Sequence, residues 1–324
     1  MRILITGGLG FIGSHLAARL LEDNNEVVII DNESTGLLSN ISGVANDKRL
    51  TIHKQSILDE EFLDSVVSKT DYIFHLAAAV GVFNIVYKPI ASMVTNIQGT
   101  ENILKLALKY RLPVFLTSSS EVYGKNTSDS LKETDDRVIG SPSILRWSYS
   151  EAKAIDESLA YAYFVEHQLE TRIVRFFNTV GPRQLGSYGM VVPRFIKSAL
   201  EDEPISIYGD GSQTRCFAHV MDVVDAVMLV AFSPETVGKT INIGNNQEIS
   251  MFDLAQKIIS ITNSKSKIVY LPYEEVYGRD FEDMARRVPN LDLIRSLVGW
   301  QPTRNLDTII LDIVQDLRSN STKS

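Results

Sequence analysis

The 324-residue chain predicts an α/β fold: a doubly wound parallel sheet with a smaller C-terminal α/β domain. Three observations carry that expectation. Short apolar runs alternate with amphipathic segments through the first half, which is the rhythm of β–α–β units and of a parallel sheet covered by helices. The first run, Arg2–Thr6, leads straight into Gly7-Gly8-Leu9-Gly10-Phe11-Ile12-Gly13 and then into a helix. The second, Val27–Ile30, ends on an acid, Asp31.

Taken in order, Ile3–Ile5 reads as a strand, Ser14–Leu21 as a helix and Val27–Ile30 as the next strand. Tyr72–Leu76 is a strand, Met93–Lys109 a helix, Val114–Thr117 a strand, Tyr149–Glu166 a long helix and Thr171–Phe176 a strand. From Gly181-Pro182 to Tyr208-Gly209-Asp210-Gly211 proline and glycine become denser, so the regular sheet gives way to loops and short elements, and a second domain starts near Asn178. Ile196–Leu200 and Asp222–Phe232 look helical, Thr240–Ile243 strand-like, and Met251–Ile261 and Leu306–Leu317 helical. The expected organisation is a Rossmann-like domain over 1–177 to which 214–245 returns. A substrate-binding domain spans 178–213 and 246–318, and 319–324 form a flexible tail. No repeat interrupts this pattern.

Composition narrows the function. The chain is 44% hydrophobic and 22% charged, ordinary for a globular enzyme, and its net charge of −8 comes with scattered Lys and Arg, so no basic stripe points to nucleic acid. The first twenty residues lack the pattern of a secretory leader, and no apolar run is long enough to span a bilayer. The single Cys216 cannot form an internal disulfide, and with the missing leader it predicts a cytoplasmic protein. No His, Cys, Asp and Glu grouping has metal-ligand spacing.

The glycine loop lets backbone approach a pyrophosphate, whose charge sits at the helix N-terminus. An acid at the end of the second strand accepts hydrogen bonds from ribose hydroxyls and repels a 2′-phosphate, so NAD is expected rather than NADP. Candidate cofactor contacts are Gly7, Gly10, Phe11, Ile12, Gly13, Asp31 and Asn32. Farther along come Ser56 and Ile57 after the third strand, Leu76, Ala77 and Ala78 after the fourth, then Asn96, Tyr149 and Lys153.

Tyr149 and Lys153 lie one helical turn apart on one face. A phenol has a reference pKa of ~10, and a neighbouring ammonium and a positively charged nicotinamide both favour its anion, so Tyr149 is a candidate proton acceptor for a sugar hydroxyl. The strand Val114–Thr117 runs into Ser118-Ser119-Ser120-Glu121, bringing hydroxyls and a carboxylate to the C-terminal edge of the sheet, where ligands bind in open α/β sheets.

The glycine loop, His75-Leu76-Ala77-Ala78, Asn96, the serine run, Tyr149 with Lys153, and Arg175-Phe176-Phe177-Asn178 resemble, in order and spacing, the extended short-chain dehydrogenase/reductases that modify nucleotide sugars. The resemblance spans nearly the whole chain. It implies that Ser119 holds the sugar 4-hydroxyl beside Tyr149, that the Asn178 region contacts the nucleotide, and that Met93–Lys109 and Tyr149–Glu166 pair across a two-fold axis in a homodimer. Two positions depart from the family pattern: an adenine-contacting acid is Ser56 here, and a lysine of some epimerases is Val80.

These enzymes begin by oxidising a sugar hydroxyl, usually at C4, and the neighbouring side chains decide the fate of the ketone. Glu121 resembles the glutamate that 4,6-dehydratases and UDP-glucuronate decarboxylases keep, although a solvated loop carboxylate is the plainer reading. Arg215 stands where the family meets substrate, and its planar fork suits a phosphate or carboxylate; an ion pair with a structural role is the alternative. Arg146-Trp147-Ser148-Tyr149-Ser150, Arg215-Cys216-Phe217, and Tyr277-Gly278 with Asp283, Arg287 and Pro289 resemble most the UDP-glucuronate decarboxylases and UDP-apiose/UDP-xylose synthases. The expected substrate contacts are Ser119, Glu121, Tyr149, Asn178, Val191, Arg194, Tyr208, Arg215 and Tyr277, with Arg194 equally readable as a surface residue.

The expected reaction comes from the chemistry of the sugar. Oxidising C4 of glucuronate makes a β-keto acid, which loses carbon dioxide to an enolate that Tyr149, Lys153 and Ser119 are placed to stabilise. Arg215 would anchor the carboxylate while Ser120 and Glu121 manage water and proton delivery to C5. The product would be UDP-xylose or the 4-keto pentose. A 4-epimerase of UDP-glucose or UDP-glucuronate is the alternative enzyme, and a non-catalytic NAD sensor the alternative from another class. His75 is expected to pack under the cofactor loop, Cys216 to be a small core residue, and Trp300 to anchor the C-terminal domain.

Overall fold

The computed structural model describes residues 1–321 except 82–84, 86, 185, 187–189, 273–274, 277–283 and 285. Its centre is a seven-stranded, wholly parallel sheet built from β1 (Arg2–Thr6), β2 (Glu26–Asp31), β3 (Leu50–Lys54), β4 (Tyr72–His75), β5 (Val114–Ser119), β6 (Thr171–Phe176) and β11 (Thr240–Ile243). The spatial order is β3-β2-β1-β4-β5-β6-β11, so the chain reverses direction across the sheet between β1 and β4. That reversal leaves a crevice outside the C-terminal ends of β1 and β4.

Helices cover both faces because strand residues alternate between them. Ile3 and Ile5 of β1 face α1 (Phe11–Glu22) and α6 (Val220–Phe232), whereas Leu4 faces α2 (Glu60–Val67), α3 (Pro89–Tyr110) and α4 (Ser148–His167). Strands buried on both sides read as the near-continuous Val, Ile and Leu runs seen in the sequence. A third core unites α5 (Val191–Leu200), β8 (Ile205–Tyr208), α7 (Met251–Thr262) and α9 (Leu306–Ser321) through Phe195, Ile196, Ile207, Leu254, Ile258, Ile310 and Ile313. Short pairs stitch this second body: β7 (Thr179–Val180) with β10 (Ala218–His219), β9 (Thr214–Cys216) with β12 (Glu248–Ser250), and β8 with β13 (Ile268–Leu271).

Four expectations about the chain need revision. Trp300 packs in the sheet's core with Ile294 of α8 (Asp292–Val298), its ring N–H donating to the Asp222 carbonyl, so residues near 291–300 interrupt the span 246–318 and return to the sheet. In 214–245, the sheet itself regains only β11, with α6 and Ala218 of β10 packed into its core, while β9 stays in a small pair with β12. The helix expected from Ile196 begins at Val191, since Pro193 sits in its first turn, where a missing N–H costs no internal bond. The last helix continues through Ser319 to Ser321, which takes the start of the expected tail into regular structure. Among the described residues no helix is long and apolar enough to cross a membrane, and no His, Cys, Asp and Glu group could hold a metal ion.

Candidate active site

A continuous cleft of about 760 Å³ follows the crevice from the β1–α1 turn to the second body. Its first half is made of backbone. Gly10 caps α1 with no side-chain hydrogen bond to the first turn, so the amides of Phe11, Ile12 and Gly13 are left for an external acceptor, where the helix dipole favours negative charge. Two glycines make this turn possible. Gly7 has φ +73°, and a Cβ on Gly13 would sit 2.3 Å from the Gly7 carbonyl oxygen. Asp31, at the end of β2, accepts N–H bonds from Leu9 (3.0 Å) and Glu33 (2.8 Å) and lines the cleft with Asn32, Ile57, Leu76, Ala77 and Ala78. Orphan amides, a carboxylate at the ribose position and apolar walls on either side fit a dinucleotide.

Two expected cofactor residues lie behind this surface rather than on it. Asn96 is wholly buried and supports the loop after β4, its Oδ1 accepting the Ala79 N–H at 2.7 Å. Ser56 turns its hydroxyl to the Leu58 N–H at 3.2 Å, and its neighbours Gln55 and Ile57 line the cleft instead. His75 is buried between Thr6 and Thr100 (2.7 and 3.1 Å) and braces the same loop through Thr6, whose hydroxyl accepts the Ala77 N–H; burial holds its ring well below the ordinary histidine value, at about 3.

The serine run and α4 meet at the middle of the cleft. Tyr149 shares a hydrogen bond with the Ser119 hydroxyl. Burial raises the phenol's pKa, with the Glu121 and Asp156 carboxylates adding to the shift, so the resting phenol is protonated. Lys153 is buried and donates to the Thr117 carbonyl and to Asp156 Oδ2, both at 3.1 Å. Asp156 therefore neutralises part of the ammonium charge that the spacing alone would have given to Tyr149.

Glu121 is the least expected feature. It is held by ion pairs inside the cleft and is not a free loop carboxylate. Its two oxygens are taken by Arg146 Nη1 (2.6 Å) and Arg287 Nη2 (2.8 Å), and Arg287 also reaches the Ser120 hydroxyl at 3.3 Å. Burial would raise this carboxyl, but Arg287 and Arg146 outweigh it and hold the group at about 2, so Glu121 stays ionised across the physiological range. Arg146, Glu121 and Arg287 come from three distant segments, so no spacing in the sequence announces the cluster. The only signal was that Arg146 and Arg287 fell in stretches resembling decarboxylases.

The second half of the cleft is made of side chains from the other body. Arg194 faces inward, its guanidinium 4.2 Å from the centre of the Tyr208 ring, which selects the site over the surface reading of that residue. Val191, Asn178 and Arg215 line the same end, with the Asn178 amide donating to the Cys216 carbonyl (2.9 Å) and Arg215 to the Thr214 carbonyl (2.8 Å). Tyr277 lies outside the described residues, as do Gly278 and Asp283. Arg175 of the family motif is no ligand group: it pairs bidentately with Glu157 at 2.8 Å inside the protein. Cys216 is fully buried and its thiol is pushed up to about 12, an inert core residue. Among the described residues seven cationic side chains line the cleft (Lys88, Arg146, Lys153, Arg183, Arg194, Arg215 and Arg287) against the carboxylates of Asp31 and Glu121. The chain as a whole carries −8, so positive charge is concentrated here.

Comparison with known proteins agrees with this geometry. The sequence model of the family described as GDP-mannose 4,6-dehydratase matches residues 4–313. A UDP-N-acetyl-α-D-glucosaminuronate decarboxylase of Bacillus cytotoxicus is 40% identical over 98% of both chains. UDP-glucuronic acid decarboxylase 1 of Danio rerio is 35% identical over 94% of this chain and 70% of its own. The crystal structure of a dTDP-glucose 4,6-dehydratase from Bacillus anthracis in complex with NAD superposes with a TM-score of 0.87 at 27% identity, covering 99% of this chain and 98% of that one.

Proposed function

The chain belongs to the GDP-mannose 4,6-dehydratase family of extended short-chain dehydrogenase/reductases, and from that membership we propose that this NAD-dependent UDP-sugar enzyme decarboxylates a UDP-hexuronate. The observation that carries the reading is the charge of the cleft. A UDP-hexuronate brings a diphosphate and a carboxylate, and among the described residues Arg146, Arg194, Arg215 and Arg287 line the substrate end of the cleft around the single carboxylate of Glu121. A neutral hexose would leave part of that charge unanswered.

Bound NAD, resting on the α1 amides and Asp31, supplies the chemistry of taking a hydride from C4 and returning it. Ser119 orients the C4 hydroxyl, and Tyr149, once a positive charge beside it has driven its own proton off to solvent, accepts the C4 hydroxyl proton at Oη. The burial that keeps the resting phenol protonated also magnifies any positive charge brought beside it, because charges interact more strongly where water is excluded. Lys153, fixed by Thr117 and Asp156, holds the α4 face in register with the serine run. Once C4 is a ketone, the C5–carboxylate bond breaks, carbon dioxide leaves, and the electron pair passes into an enolate facing the Ser119 and Tyr149 hydroxyls. Glu121 serves as the anchor that aims Arg146 and Arg287 at the reacting carboxylate, while Arg215 and Arg194 take the diphosphate end. Protonation at C5 gives the UDP-4-keto-pentose, and return of the hydride to C4 with a proton from Tyr149 to the C4 oxygen would convert it to the UDP-pentose.

We also assign the homodimer to the outer faces of α3 and α4, where Val94, Ile155, Tyr161 and Val165 stand exposed. The enzymatic reading is tested by an NMR time course with NAD and either UDP-glucuronate or its 2-acetamido analogue. Released carbon dioxide with new pentose signals supports it; a C4-epimeric uronate with all carbon retained overturns it in favour of an epimerase, and no change with either sugar overturns it outright.

A further inference from the structure

Arg183 differs from the arginines around Glu121. It follows β7 in the turn Gly181-Pro182-Arg183, with its backbone in the left-handed region (φ 69°). The turn is pinned on both sides. The Pro182 carbonyl meets the His15 ring of α1 at 3.0 Å, and the Arg183 N–H donates to Asp316 Oδ2 of α9 at 3.0 Å. A non-glycine residue held in this conformation by contacts to two bodies has its side chain aimed by the fold.

That side chain crosses to the cofactor half. Arg183 Nη1 donates to the Ser14 hydroxyl at 3.3 Å, and Ser14 Oγ in turn donates to the Phe11 carbonyl at 3.0 Å, so the guanidinium lies against the first turn of α1 while lining the cleft. No carboxylate of the described residues lies within ion-pair distance of it. Half-buried cations normally find an anion, and a hydroxyl is a weak substitute. Burial lowers the arginine's pKa with only the more distant Asp316 offsetting it, as expected of a charge set aside for a ligand.

We infer that Arg183 is the cation that meets the pyrophosphate of the dinucleotide, closing over the α1 amides from the opposite side of the cleft. The inference rests on the cofactor reading above. It gives the anion one partner from each body, the Phe11–Gly13 amides from the sheet side and a planar fork from the second body, so cofactor binding draws the two bodies together.

The test is calorimetric titration of the nucleotide-free full-length protein with NAD, ADP and adenosine. Arg183→Gln is expected to weaken NAD and ADP by tenfold to a hundredfold while adenosine, which has no phosphate, changes by less than about twofold. Arg183→Lys is expected to recover part of the loss with a stronger salt dependence, and it reads the same ADP-to-adenosine ratio should the glutamine variant not fold. An equal loss for ADP and adenosine would show that Arg183 only braces the turn, and unchanged NAD affinity would likewise overturn the assignment. A wild-type protein that binds neither NAD nor ADP would overturn the cofactor reading and this one with it.

Discussion

The two halves of the cleft are built in different ways. The cofactor half is backbone: one turn between β1 and α1, one loop after β4 and a single acid at the end of β2. The substrate half is side chain: Glu121, Arg146, Arg194, Arg215 and Arg287 converge from five separate segments, and their charges set each other's states. A backbone site depends on glycines at fixed offsets and survives most changes elsewhere, whereas a site of opposed charges depends on every member. Removing one partner of a buried ion pair leaves the other uncompensated.

The largest effect should separate chemistry from binding. Tyr149→Phe is expected to lower turnover by about 10³-fold, within the range for loss of a positioned proton carrier, while NAD affinity measured by titration changes little. Next comes Glu121→Gln, which frees Arg146 and Arg287 from their shared anchor: decarboxylation should fall by about a hundredfold with NAD binding unaltered. If that variant lost NAD as well, the halves would not be independent. Gly13→Ala attacks the other side. A methyl 2.3 Å from the Gly7 carbonyl must displace the turn, costing about 1–3 kcal/mol of stability and roughly tenfold or more in NAD affinity, while UDP binding is preserved.

The same contrast explains what could be read from the sequence. The glycine loop, Asp31 and the Tyr149–Lys153 spacing are short-range patterns whose geometry follows from a strand, a turn and a helix, and the parallel character of the sheet followed from the β–α rhythm. Glu121 was legible as a residue but not as a state, because its charge depends on Arg287, 166 positions away in the chain. Lys153 was expected to favour the Tyr149 anion, yet Asp156, three residues on along the same helix, takes part of its charge. Trp300 was assigned to the wrong core because an anchor's residue type says that it is buried and not against what.

The smallest predicted effect concerns the seam between the bodies, where His15 of α1 meets the Pro182 carbonyl. Burial lowers this imidazole to about 4 from an ordinary 6.5, with the Pro182 hydrogen bond opposing the shift. A depressed folded-state value means that the unfolded chain binds the proton more readily, so stability is fully present above pH 6.5 and is lost as pH falls toward 4. The loss should be on the order of 2 kcal/mol and is read from urea unfolding between pH 7 and 4.5. His15→Asn should remove only its own share of that slope, because His75, held at about 3, is protonated in the unfolded chain and not in the folded one over the same window. Glu121 acts in a different window: its stabilisation is complete above 4.5 and fades toward 2, so Glu121→Gln should leave the pH 7 to 5 slope intact and remove only the acid limb. If His15→Asn left the slope above pH 4.5 unchanged, the deeper His75, held at about 3 beneath the cofactor loop, would be its source, and the acid sensitivity would belong to the backbone half of the cleft instead of to the seam.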